Sequence, residues 1–210
     1  MIPQYKIIST GSKGNAVLYH GCILVDCGVP FTLLKPYYKD IKLVLLTHIH
    51  GDHFNLATIK KLAFERPTIK FGCGSHLTQF LPPHINIDIY TPNRTYIYNF
   101  AAITPVELNH DVPNFGYKIY SYNTKLFHAT DTSTLEGIEA KDYDLYAIEH
   151  NYDEESTIKK LYEDDEKGKF NYQSRSVLTH MSEQQAKEWL YKNKNENSEV
   201  LRLHESSTFL

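Results

Sequence analysis

The chain of 210 residues lacks most of the features that mark specialised protein classes. It has three cysteines, Cys22, Cys27 and Cys73, with no CxxC pair and no even framework among them. That argues against a disulfide-stapled scaffold and leaves small buried hydrophobes in a reducing compartment. No apolar run approaches membrane-spanning length, so no membrane partner is expected. The opening Met1-Ile2-Pro3-Gln4-Tyr5-Lys6 has no signal-peptide pattern, and cytoplasmic residence follows as the default. A net charge of -3 provides no global basic field, although a local basic patch stays open. Repeats, low-complexity linkers and breaks in composition are missing too. One α/β domain over residues 1–210 is the economical expectation.

What the chain does have is histidine, eleven in all, and tyrosine, sixteen. The histidines concentrate the chemistry in Leu43-Val44-Leu45-Leu46-Thr47-His48-Ile49-His50-Gly51-Asp52-His53. An apolar run that reads as a buried strand ends in three histidines and an aspartate within six positions. Imidazole and carboxylate suit a borderline-soft divalent cation. His48 and His50 leave an extended chain on one side, and Gly51 permits the bend that Asp52 and His53 need.

The rest of the chain alternates short strands with helices. Strands are expected over Tyr5–Ser9, Ala16–Tyr19, Cys22–Val25, Thr68–Phe71, Ile85–Tyr90, Arg94–Tyr98, Ala101–Leu108, Phe115–Tyr122, Lys125–Ala129, Asp142–Glu149, Ser176–Thr179 and Glu199–Leu203. Helices are expected over Pro30–Lys39, from an Asn55 cap through Phe64, and over Ser75–Leu81. A charged, solvated helix should cover Asp153–Lys169. Another runs from Ser182 to Asn193, with Ser182 as N-cap and Gln185 at the capping-box position.

Further metal-ligand candidates stand where expected strands give way to loops: His110, Asp131 and His180. Asp26 ends an apolar strand before Cys27-Gly28, as a turn cap or as a partner behind a metal ligand.

Thr47-His48-Ile49-His50-Gly51-Asp52-His53 resembles the THxHxDH signature of the metallo-β-lactamase superfamily, and Asp26, His110, Asp131 and His180 follow the family's chain order. Ser9-Thr10-Gly11-Ser12-Lys13-Gly14-Asn15 is similar to the SxGSxGN start of the YycJ/WalJ-like branch, which is associated with 5′–3′ exonuclease activity on DNA. Leu108–Tyr117, Ile148–Asp153 and Leu178–Ser182 resemble that branch as well.

The resemblance implies a four-layer αβ/βα sandwich and two divalent metal ions, Zn or Mn. One would take His48, His50 and His110, the other Asp52, His53 and His180, with Asp131 bridging. A bridging hydroxide is the implied nucleophile, so Asp52 and Asp131 count as catalytic. Asp26 would fix the tautomer of a ligand histidine. For the leaving group, His150 and His204 are the candidate proton donors, and Glu149 and Asn151 could orient a ligand. The turn Ser12-Lys13-Gly14-Asn15 could hold phosphate through backbone N–H groups and the Lys13 charge. Ser182, at a helix start, could contact phosphate or simply cap. The leading expectation is a metal-dependent phosphodiesterase or nuclease acting on nucleic acid, DNA before RNA. The alternatives are a hydrolase of a small ester, thioester or lactam, and a non-catalytic metal-binding module.

Overall fold

Short runs of β-branched and aromatic residues pair into two six-stranded sheets. The computed structural model describes residues 1–166 and 177–204, with side chains over 1–160 and 177–204. The first sheet holds β1 (Tyr5–Ser9), β2 (Ala16–Tyr19), β3 (Ile23–Val25), β4 (Leu43–Leu45), β5 (Lys70–Gly74) and β6 (Ile87–Tyr90), in chain order. The second holds β7 (Tyr96–Ile97), β8 (Ala102–Leu108), β9 (Asn114–Ser121), β10 (Thr124–Ala129), β11 (Leu145–Glu149) and β12 (Glu199–Leu203), again in sequence order across the sheet. In each sheet one part is antiparallel and the other parallel: β3 to β6 run parallel in the first, β10 to β12 in the second.

The parallel strands are apolar on both faces, as strands covered on both sides must be. In β4, Leu43 and Leu45 enter the core between the sheets, while Val44 packs outward among the helices. In β11, Leu145 and Ala147 face inward, and Tyr146 and Ile148 outward. The outer face of the first sheet carries α1 (Phe31–Leu34), α2 (Leu56–Glu65) and α3 (Ser75–Thr78), which bury Leu34, Ile59, Leu62 and Leu77. The outer face of the second carries α5 (Glu183–Asn193), which buries Ala186, Trp189 and Leu190. Each such large apolar side chain contributes about 1.5–3 kcal/mol when fully buried. Helix α4 (Glu154–Glu166) precedes α5 in the chain. Helix, sheet, sheet, helix is the expected four-layer αβ/βα sandwich.

Both anticipated caps form. The Asn55 side chain accepts from Thr58 N at the start of α2. Ser182 and Gln185 close a reciprocal capping box on α5. Some boundaries differ. The helix expected over Pro30–Lys39 stops at Leu34 and continues as turns. The strand expected over Ser176–Thr179 is helical at 177–179, and Ser176 lies outside the described residues. Three apolar or β-branched residues are too few to distinguish strand from helix by periodicity. Residues 167–169 of the charged helix also lie outside the described residues.

Candidate metal centre

The site lies where the parallel strands of both sheets end. From the first sheet, β4 runs out through Leu46 and Thr47 into His48, His50, Asp52 and His53. That ligand turn is strapped down by its backbone. Asn15 N donates to Asp52 O (2.6 Å), Cys27 N to His53 O (3.1 Å) and Asn55 N to Cys27 O (3.1 Å). Gly28 lies so close beneath that a Cβ there would stand 1.7 Å from Asp52 O. Only glycine permits this approach.

From the second sheet come His110 after β8, Asp131 after β10, Glu149 at the end of β11 and His204 after β12. Asp26, Asp131 and His204 all have left-handed backbone, with φ of 63°, 57° and 52°. Such conformations cost about 1–3 kcal/mol each in non-glycine residues and gather at functional sites. Here each turns a side chain from a strand end back toward the same point.

The donor atoms fall into three groups: His48, His50, His110 and Asp131; Asp52, His53, Asp131 and His204; and Asp131, Glu149, His180 and His204. Asp131 belongs to all three. Its Oδ2 lies 3.4 Å from His48 Nε2 and 3.2 Å from His53 Nε2, and its Oδ1 lies 3.3 Å from His204 Nε2. Asp131 Oδ1 and His204 Nε2 are buried without a hydrogen-bond partner. Two orphaned polar atoms facing each other where both are buried, amid converging imidazoles, fit a cation-binding centre.

The outer nitrogens are held in a way that frees the inner ones. Thr47 Oγ1 donates to the Asp26 carboxylate at 3.0 Å, so at 2.9 Å it can only accept from His48 Nδ1. His53 Nδ1 donates to Asp26 Oδ2 (2.7 Å) and His110 Nδ1 to Thr179 O (3.1 Å). His48, His53 and His110 therefore turn Nε2 lone pairs inward. His50 is reversed: its Nδ1 lies 3.1 Å from His48 Nε2, while its Nε2 faces Asp111 Oδ1 at 3.4 Å.

The sequence model described as the beta-lactamase superfamily domain matches residues 22–200. The chain belongs to that superfamily. Among curated relatives, it is similar to ribonuclease Z of Clostridium novyi (strain NT), 30% identical over 130 residues, covering 47% of this chain and 42% of that protein. It is also similar to the anti-Pycsar protein Apyc1 of Paenibacillus sp. (strain J14), 44% identical over 68 residues, covering 30% of this chain and 26% of that one. The matches thus span less than half the length of these curated relatives. Among solved structures, YhfI from Bacillus subtilis superposes with a TM-score of 0.74 at 18% identity, covering 97% of this chain and 86% of that one. Human tRNase Z, short form, gives 0.73 at 16% identity, covering 97% and 93%. At such identities these likenesses speak for the fold.

Within this superfamily member, the residues expected to act are sorted by the strand ends. Asp26, expected behind a ligand histidine, contacts His53. His204 stands with Asp52, His53 and Asp131, where His180 was expected. His180 is instead paired through Nδ1 with Glu149 Oε1 at 2.5 Å, and its ring stacks on that of His204, 5.2 Å apart and 13° from parallel. The parallel bridge between Tyr152 and Ser182, with Asn151 N donating to Met181 O, holds this arrangement. His150, a candidate proton donor, joins none of the three groups. It follows Glu149 on the strand and turns to the opposite face, toward α5, as period-two alternation dictates.

The candidate phosphate contacts divide as well. Ser182 is buried, with Oγ donating to Glu154 Oε1 (2.5 Å) and accepting from Gln185 N, so it is a cap and not a substrate contact. Asn15 is buried too. Its Nδ2 lies 2.7 Å from His53 Nε2 and 3.4 Å from Asp52 Oδ2, inside the centre and not on its rim. Ser12 and Lys13 are exposed at the tip of the turn. Thr47, Asp111, Thr132 and Thr10 were not singled out from sequence. Thr132 N donates to Glu149 Oε2 (2.9 Å), and His204 N to Thr10 Oγ1 (2.9 Å). Thr10 and Thr132 carry no pattern that separates them from ordinary turn residues, whereas Thr47 opens the THxHxDH-like stretch. Asp111 follows a ligand histidine directly, and that adjacency was the available signal.

Electrostatics follow the geometry. Burial holds His48 down at about 4. Burial also works against the charged form of His204, but Asp131, Asp52 and Glu149 lift it to about 10. Burial would raise Asp131, yet His53, His204 and His48 hold its carboxyl well below the usual range. His180 is desolvated, but Glu149 raises it above an ordinary histidine.

Proposed function

We propose that this chain is a metal-dependent phosphodiesterase, residues 1–210 working as one hydrolase domain on nucleic acid in the cytoplasm, where free thiols such as its three buried cysteines persist. The observation that carries this reading is the His180–Glu149 pair beside two donor groups that share Asp131. His48, His50, His110 and Asp131 would hold one divalent cation, and Asp52, His53, His204 and Asp131 the other. Two such cations, Zn or Mn, would supply an acidified water and charge stabilisation for the displacement.

The chain's own residues do the rest. Asp26 and Thr47 hold His53 and His48 in the tautomers that turn Nε2 inward. Glu149 accepts a hydrogen bond from His180 Nδ1–H and so favours the imidazolium. A phosphodiester expels an alkoxide, which needs a proton as the P–O bond breaks. His180 is partly exposed, with Nε2 opposite its Glu149 contact, and it supplies that proton. This replaces the donor role first considered for His204 and His150.

Relatives named ribonuclease Z make RNA the first polymer to test. The motif resemblances at Ser9–Asn15 and Leu178–Ser182 keep DNA as the second reading. The test is to chelate the protein, restore Zn or Mn, and offer bis-p-nitrophenyl phosphate, a thioester and a β-lactam, alongside end-labelled RNA and DNA. Metal-dependent turnover of the phosphodiester is expected. Turnover of the carbonyl substrates alone would overturn the reading.

A further inference from the structure

Helix α5 has two unlike sides. One borders a cavity of about 700 Å³ whose lining includes Glu136, Glu139 and Glu188. The other presents Lys187 and Tyr191 at i and i+4, one face of the helix, with Lys194 at its C-cap beyond. Facing them, β12 turns Arg202 outward between the buried Leu201 and Leu203. With Leu190 and His150 these residues line a groove of about 340 Å³.

No acid is among the described lining residues of that groove, although the chain as a whole is net negative. Glu183 stands at its end, accepting from Lys187 Nζ (3.2 Å) and pairing with Arg202 (2.6 Å). The Tyr191 side chain is 86% exposed, the most exposed ring among the described residues. An exposed aromatic between cations, over an apolar floor, fits a polyanion that also offers flat apolar faces. Single-stranded nucleic acid has both: phosphates for the cations and bases to stack. An acidic peptide offers only the charge.

We propose that this groove is an accessory binding surface for single-stranded nucleic acid, with Tyr191 stacking on a base and Lys187 and Lys194 holding phosphates. The proposal deepens the phosphodiesterase reading and rests on it for the choice of ligand. The groove adjoins the centre through the chain itself. Arg202 stands two residues before His204, about 7 Å along an extended strand, and His150 directly follows Glu149. A strand seated in the groove thus lies one sheet thickness from the centre.

The test measures binding and turnover separately. Fluorescein-labelled oligo-uridine and oligo-thymidine of about twelve nucleotides are titrated with chelated protein, followed by anisotropy, across a range of salt. Tyr191→Ala is expected to weaken binding roughly five- to hundredfold for both oligomers. The Lys187→Ala, Lys194→Ala double variant should lower the salt slope by about 1.4. Both variants should turn over bis-p-nitrophenyl phosphate as the parent does, since none of these residues touches the centre. Unchanged oligomer affinity and salt slope would overturn the proposal. So would a poly-glutamate peptide that binds as tightly as the oligomers and loses as much with Tyr191→Ala. A parent protein without phosphodiesterase activity would sink the functional reading instead, and the anisotropy would still report on the groove.

Discussion

The two donor groups that share Asp131 are built differently. The first, His48, His50 and His110, takes two members from the turn after β4, as the second does, and its third stands 60 positions from His50; hydroxyl and backbone partners hold the outer nitrogens of His48 and His110. The second, Asp52, His53 and His204, depends on a residue 151 positions further on, held in left-handed backbone after an edge strand. A buried carboxylate, Asp26, braces it from behind. The second group thus leans on a longer-range member and on a buried carboxylate behind it.

The change that removes the contrast altogether is Asp131→Ala. Both groups lose their shared carboxylate, so metal analysis should find neither ion, and turnover should fall to background. Two ions retained with full turnover would refute the assignment. The next largest effect separates His204 from His180. His204→Ala should leave one ion of two. His180→Ala should leave both ions yet slow turnover by about 10²–10⁴, and most where the leaving group is a poor one. Metal content and rate measured together distinguish the two, and an ion lost from the His180 variant would reverse their roles.

Asp26→Asn probes the brace. Metal affinity at the second group should weaken by about 10–100-fold, with the first less affected, as a competition titration with a chromophoric chelator would read. The smallest effect is on protons. In the metal-free chain His204 sits at about 10, so it is protonated at neutral pH and a cation must displace that proton. Metal uptake at pH 7 should therefore release protons, and apparent affinity should rise with pH up to about 10. Calorimetry in buffers of different ionisation enthalpy would show it. Stability has the opposite sign. With its folded value above that of the unfolded chain, the His204 contribution is complete below about pH 6.5 and is lost as pH rises through about 10.

The readings that held from sequence share a short range. Thr47 to His53 announced a turn that gathers histidine and carboxylate side chains, because strand, glycine and donors stand within a few residues. Asn55, Ser182 and Gln185 were readable as caps because capping spans three positions. The unbroken apolar run from Leu43 to Leu46 carried the burial of a middle strand. Local pattern ran out where two candidates stood equally far away. His180 and His204 both follow late apolar runs, and nothing local ranks them. His150 looked available until the strand's alternation turned it from the centre. Ser182 and Asn15 looked like surface contacts until their partners filled them.

By itself, then, the sequence determined a turn of three histidines and an aspartate at the end of a buried strand, in an alternation of strands and helices. Only the tertiary structure decided which distant residues complete the centre. The parallel register of β11 with β12, Glu149 opposite Leu203, carries His204 past the strand end to Asp131. The Tyr152–Ser182 bridge leaves His180 against Glu149. Ligand chemistry is a property of side chains and is written locally. Which imidazole reaches a cation is set by strand pairing between segments some fifty residues apart, and that pairing is fixed only when the two sheets pack.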